Sequence, residues 1–148
     1  MKISDAGLSL IRTFEGLSTK AYRCPAGVWT IGYGHTAGVK AGQVITEKQA
    51  DELLKRDLVE YEHKIENWCK NIKLTQSQFD ALVSFEFNTK GDTLPRSTIF
   101  KRLQSGDMSG AADAFLMWDK VTLKGVKVRC AGLHRRREAE RRLFLSEM

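Results

Sequence analysis

The sequence predicts an α+β fold with segregated parts: a short helix, a small antiparallel β-sheet lobe, one long linking helix and then a helical lobe. Three observations carry that prediction. Glycines at 16, 27, 32, 34, 38 and 42 punctuate a stretch that includes VWTIGYGHT, rich in β-branched and aromatic residues. Two T-x-x-Q sequences, Thr46–Gln49 and Thr75–Gln78, have the form of a capping box, in which threonine and glutamine satisfy each other's free amides at a helix start. After each of them, apolar residues recur at helical spacing.

Taken in order, residues 4–14 read as an amphipathic helix with Ser4 as N-cap, Leu8, Ile11 and Phe14 on one face, and Gly16 as the stop. Residues 17–45 read as a twisted sheet with tight turns. Thr46 opens a helix whose inner face carries Leu53, Leu54, Leu58, Tyr61, Ile65 and Trp68, long enough to join two parts of the molecule. Thr75 opens another, with Phe79, Leu82, Val83, Phe85 and Phe87 mostly inside, closed by Asn88 and Gly91. Arg96–Leu103 and Met108–Trp118 form two shorter helices around a turn at 105–107. Residues 119–131 look loop-like, and 133–146 form a highly charged closing helix with i,i+4 pairs such as Glu138 with Arg142. The division expected is one domain, 1–148, with a β lobe at about 15–45, a linking helix at 46–70 and a helical lobe at 71–148.

Bulk properties narrow the function. A chain of 148 residues, 42% hydrophobic and 28% charged, can bury a core of its own, which excludes disordered and fibrous classes. No apolar run approaches the ~20 residues that span a bilayer, so stable membrane insertion is not expected. The first residues lack the uninterrupted apolar stretch of a secretory signal, so synthesis and first residence in a cytoplasm are expected. Cys24, Cys69 and Cys130 are odd in number and form no CxxC pair, so they read as free thiols, with one disulfide as the alternative. The net charge of +6 is unevenly placed. Residues 1–119 hold 15 Lys/Arg and 15 Asp/Glu, whereas residues 120–148 hold nine and three. A basic end attracts polyanions, nucleic acid among them, but no nucleic-acid reading module is present and none is expected as partner.

One stretch carries chemistry: residues 14–36, FEGLSTKAYRCPAGVWTIGYGHT. Glu15 stands where the first helix ends, with Cys24 and Thr30 on the sheet that would face it. Glycoside hydrolysis needs a carboxylic acid to protonate the leaving oxygen and a second group to act at the anomeric carbon. The pattern Glu-x8-Cys-x5-Thr followed by G-Y-G-H-T resembles the phage-type lysozymes, a family in which the middle position is Asp or Cys. The resemblance extends through Phe87-Asn88, Ser97-Thr98, Gly110-Ala111-Ala112 before Trp118, and GLHRRREAERRLFL near the end.

That resemblance implies a lysozyme-like fold and an endolysin activity: hydrolysis of the β-1,4 bond between N-acetylmuramic acid and N-acetylglucosamine, for host cell lysis. It implies Glu15 as acid, Cys24 on the far side of the sugar ring, and Thr30 holding water or bridging to Cys24. Phe87 and Ser97 would line the saccharide cleft, and an arginine of 135–137, Arg136 first, would orient Glu15. Cys24 stays open between nucleophile, general base and neighbour of a water. His35 is implied to be structural, and His134 reads as part of a solvated basic face. No cofactor or metal is expected. The implied partner is the peptidoglycan glycan strand, met by a monomer released through a holin-type pore. The competing reading is a catalytically silent peptidoglycan-binding module.

Overall fold

A computed structural model describes residues 1–148. It consists of α1 (Asp5–Glu15), β1 (Ser18–Arg23), β2 (Trp29–Gly32), α2 (Glu47–Trp68), α3 (Gln76–Thr89), α4 (Thr98–Gln104), α5 (Met108–Ala114), β3 (Lys120–Leu123), β4 (Val126–Arg129) and α6 (Ala131–Leu145). The fold is mixed α+β, with six helices and two small antiparallel sheets.

Both capping boxes form. Thr46 N–H donates to Gln49 Oε1 at 2.8 Å while Gln49 N–H donates to Thr46 Oγ1 at 3.1 Å, and Thr75 and Gln78 repeat this at 2.9 and 3.1 Å. Ser4 does not cap α1. Its amide and its hydroxyl both donate to Asp80 of α3, so the start of α1 is tied to the neighbouring helix rather than to its own first turn. Gly16, at φ 73°, ends α1 in the left-handed region where a side chain would be strained.

The first sheet is smaller than the 17–45 stretch suggests. Only β1 and β2 pair as strands, with a bulge between Ser18 and Tyr22, and single bridges at Lys20–Val44 and Ile31–His35 carry the rest. The segment expected to be loop-like folds as a second hairpin. β3 and β4 pair in strict register from Lys120–Arg129 to Leu123–Val126. Lys124 and Gly125 at the tip have φ of 50° and 79°, and two left-handed residues in succession match the twist of a two-residue hairpin.

α3 lies at the centre. Residues 77–87 are buried without a break, so the helix has no solvent face. It packs on α6, α1 and α2, and its polar side chains Asp80, Ser84 and Glu86 find partners there or in the adjoining loop, whereas the buried Thr89 hydroxyl has none. Glu86, for instance, accepts the amides of Thr93 and Leu94 at 3.2 and 2.8 Å, closing the turn after the helix. A single cluster of 23 buried residues runs from Leu8 and Tyr33 through α2 and α3 to Phe144.

At Gly7, α1 approaches α3 closely: a methyl there would lie 2.8 Å from Asp80 Cβ and 2.6 Å from Ile3 Cγ1. Gly7→Ala should therefore force the helices apart and destabilise the fold by about 1–3 kcal/mol. Thermal unfolding would read this as a midpoint several degrees lower; an unchanged midpoint would show the contact can relax freely.

Candidate active site

The last residue of α1 is Glu15, whose side chain keeps 21% of its surface exposed. Arg136 of α6 donates from Nη1 to its Oε2 at 2.7 Å. Oε1 faces the turn after β2, where a methyl on Gly34 would come within 3.3 Å of it. Gly34 has φ 81°, so both the turn and the space beside the carboxyl require glycine. One oxygen of Glu15 is thus fixed by an arginine and the other looks across a bare backbone.

Arg136 is itself held. Its Nε reaches Glu140 at 3.3 Å, and its Nη2 donates to the Ser84 carbonyl and hydroxyl at 3.2 and 3.3 Å. Ser84 donates to Glu140 at 2.6 Å. Arg137, fully buried, donates to the other Glu140 oxygen, to Asn88 and to the Trp118 carbonyl, and stacks over Phe85 at 4.9 Å. Burial pulls the Arg137 guanidinium down from its ordinary value and Glu140 opposes this. Of this network the sequence predicted only the Arg136–Glu15 meeting. Glu140 and Ser84 were not anticipated. The signal was present in the i,i+4 and i,i+3 spacing of Glu140 from Arg136 and Arg137, but on an exposed helix that spacing means little.

Cys24 follows β1, and its amide donates to the Val28 carbonyl at 3.0 Å, closing the hairpin turn. Thr30, inside β2 and 4% exposed, pairs with Tyr22 and donates its hydroxyl to the same Val28 carbonyl at 3.0 Å. The backbone amides of Val28 and Ala26, and to a lesser degree the Thr30 hydroxyl, hold the Cys24 thiol below its ordinary value. Cys69, buried at the C-terminal end of α2, is pushed the other way by burial, up to about 11. All three cysteines are free.

The structure thus brings Cys24 and Thr30 together on one hairpin, with Glu15 against Gly34 two residues past the end of β2. Phe87 lines a cleft of about 280 Å³ with Gly34, Tyr61 and Lys90, and the lining of that cleft does not include Glu15, Cys24 or Thr30. Its ring stands edge-on to Tyr61 at 5.3 Å, under the Lys90 ammonium. Ser97 lies elsewhere, on a second cleft of about 510 Å³ beside Trp118. It is 2% exposed, and its hydroxyl donates to Leu94 and accepts the Phe100 amide as the cap of α4. His35 uses Nδ1 on Asp57 at 2.8 Å and Nε2 on the Ala37 carbonyl at 2.9 Å, tying the turn after β2 to α2. His134 is not a solvated surface charge: it bridges Asp119 at 3.0 Å and Glu138 at 3.2 Å. That bridge takes Glu138, which the sequence pairs with Arg142.

Three comparisons place this geometry among known proteins. A family model described as phage lysozyme matches residues 12–140. An endolysin of Acyrthosiphon pisum secondary endosymbiont phage 1 is 43% identical over 146 residues, covering 99% of each chain. Among solved structures, the muramidase domain of SpmX from Asticaccaulis excentricus is similar with a TM-score of 0.93 at 42% identity, covering 97% of each chain. The endolysin from Escherichia coli O157:H7 phage FAHEc1 gives 0.90 at 40%, covering 100% of this chain and 96% of that one.

The opposed surroundings of the thiols make a direct test. At pH 8, iodoacetamide should modify Cys24 of the folded protein well before Cys69, because only a thiolate reacts and only Cys24 is favoured in that form. Peptide mass spectrometry over time reads the order; equal rates would contradict it.

Proposed function

The chain belongs to the phage lysozyme family, and from that membership we propose how its residues divide the work of a muramidase. The activity is that of a lysozyme hydrolase serving phage lysis of the host, with bacterial peptidoglycan as substrate. The bond cleaved is the β-1,4 linkage between N-acetylmuramic acid and N-acetylglucosamine. We assign the proton transfer to Glu15. With Oε2 engaged by Arg136, Oε1 is the oxygen left to carry and deliver a proton to the glycosidic oxygen. This division of the two carboxyl oxygens is the observation on which the assignment rests.

Cys24 is the group we place opposite the acid, as a thiolate that either activates water or meets the anomeric carbon. The donors that stabilise its anionic form support this role. Thr30, an adjacent hydroxyl on the same hairpin, is proposed to hold the attacking water. Phe87 offers an aromatic wall to a sugar ring in the Gly34 cleft. Ser97 is proposed to line the far end of the saccharide path through its backbone and cleft position, its hydroxyl being occupied. Neither a metal nor a cofactor has a part in this scheme.

We further propose a single working domain, with residues 15–45 as the β lobe, 46–70 as the link and 71–148 as the helical lobe. It acts as a monomer, made in the host cytoplasm and released to the wall through a holin-type pore.

Glu15→Gln should lower the rate of murein solubilisation by about 10²–10⁴-fold, the share a positioned general acid contributes. Undiminished lysis by that variant would refute the acid assignment and favour the silent wall-binding reading only if the parent also released no reducing ends. Cys24→Asp should stay active. Cys24→Ser, which cannot ionise at neutral pH, should lose most activity if the anion is required; NMR of the first-formed anomer then distinguishes direct attack from water activation.

A further inference from the structure

The β3–β4 ribbon leaves most of an apolar face open to solvent. Its register pairs Val121 with Val128 and Leu123 with Val126, and residues two apart share a face, so these four side chains form one apolar surface. Lys120, Thr122, Lys127 and Arg129 form the other. Lys120, Thr122 and Lys127 line the cleft beside Trp118, and on the opposite, apolar face only Val121 is half-buried. Leu123, Val126 and Val128 are 57, 61 and 41% exposed. A two-stranded ribbon of this kind is marginal in water unless something covers it or anchors it. The anchor is at its base. Asp119 is nearly buried and takes hydrogen bonds or ion pairs from His134, Lys120 and Arg129. Burial raises its carboxyl, but His134 and Lys120 outweigh that and leave it below the ordinary range, a charged hub under the ribbon.

We propose that this ribbon docks the protein peripherally on an anionic lipid surface, with Leu123, Val126 and Val128 entering the headgroup boundary and the lysines at phosphate level. Charge selects this occupant. Residues 120–129 hold four cations and no acid, and residues 120–148 hold the entire net +6 of the chain. A second copy would set two such cationic ribbons face to face, and four side chains fall far short of the 20–30 residues that each side of a stable protein interface supplies. A lipid surface demands less: a small apolar wedge plus a few cations is how reversible interfacial binding is built. Lys124, at the tip beside Leu123, can lay its long stem along the apolar layer while its head reaches phosphate.

The test is co-sedimentation of the full chain with vesicles, one set of phosphatidylcholine alone and one with a third phosphatidylglycerol. Binding should appear only with the anionic set and weaken as salt is raised. Lys124→Gln should reduce it by about fivefold. Leu123→Thr with Val126→Thr should reduce it by about tenfold or more, with murein hydrolysis and circular dichroism unchanged. No binding to either set, or equal binding to both, overturns the proposal. Undiminished binding by the double threonine variant overturns the apolar wedge. Loss of hydrolysis in that variant, with its fold intact, assigns the face to substrate instead. Concentration-dependent dimerisation abolished by the same change assigns it to a second copy.

Discussion

The interaction on which the rest of the molecule depends is the buried group formed by Arg136, Arg137 and Glu140 between α6 and α3. Two guanidinium groups and one carboxylate lie inside the core, and each hydrogen-bonding edge is used: on Glu15, Ser84, Asn88 and the Trp118 carbonyl. Charges removed from water cost several kcal/mol each unless they are paired and hydrogen-bonded, and an apolar replacement of similar volume is often the more stable choice. Stability alone does not account for such a group. Its geometry does something an apolar core cannot: it fixes one oxygen of the partly exposed Glu15 carboxyl while the other lies beside Gly34. The trio keeps one guanidinium edge turned outward, and that edge of Arg136 meets Glu15.

This arrangement also accounts for the shape of the core. α3 has to be buried on every side because α1, α2 and α6 all present something to it: Ser4 and Gly7 from α1, the aromatic Tyr61 from α2, the arginine pair from α6. Its polar residues are therefore internal, and some carry a contact that sets the angle of a neighbour. Asp80 seats α1, Ser84 seats α6, and Glu86 closes the loop that leads to α4. The position of Glu15 follows from the first two.

Elements defined by local chemistry were legible in the sequence. Both capping boxes, the glycine stop after α1, and the apolar faces of α2 and α3 could be read because capping and periodicity act within a few residues. What escaped reading was non-local. Ser4 has the chemistry of a cap, yet a carboxylate 76 residues away takes its donors. Glu140 sits in HRRREAERR, a run with the appearance of solvated charge; nothing local reveals that one face of it is sealed. The β3–β4 hairpin shows its Val/Lys alternation plainly, but its turn is Lys-Gly in place of the usual Asn-Gly or Asp-Gly, and its apolar side lacks a core to face. At the site, Glu15, Cys24 and Thr30 stood out by pattern. Gly34's closeness to the carboxyl did not, since no sequence rule reports an empty space.

Arg136 lies 121 residues beyond the carboxyl it orients. A chain emerging from a ribosome thus carries Glu15 long before the guanidinium that holds its Oε2 exists, and any product halted ahead of residue 136 carries the proposed acid without that partner. Under the proposed assignment, the alignment of the acid waits on the synthesis of α6.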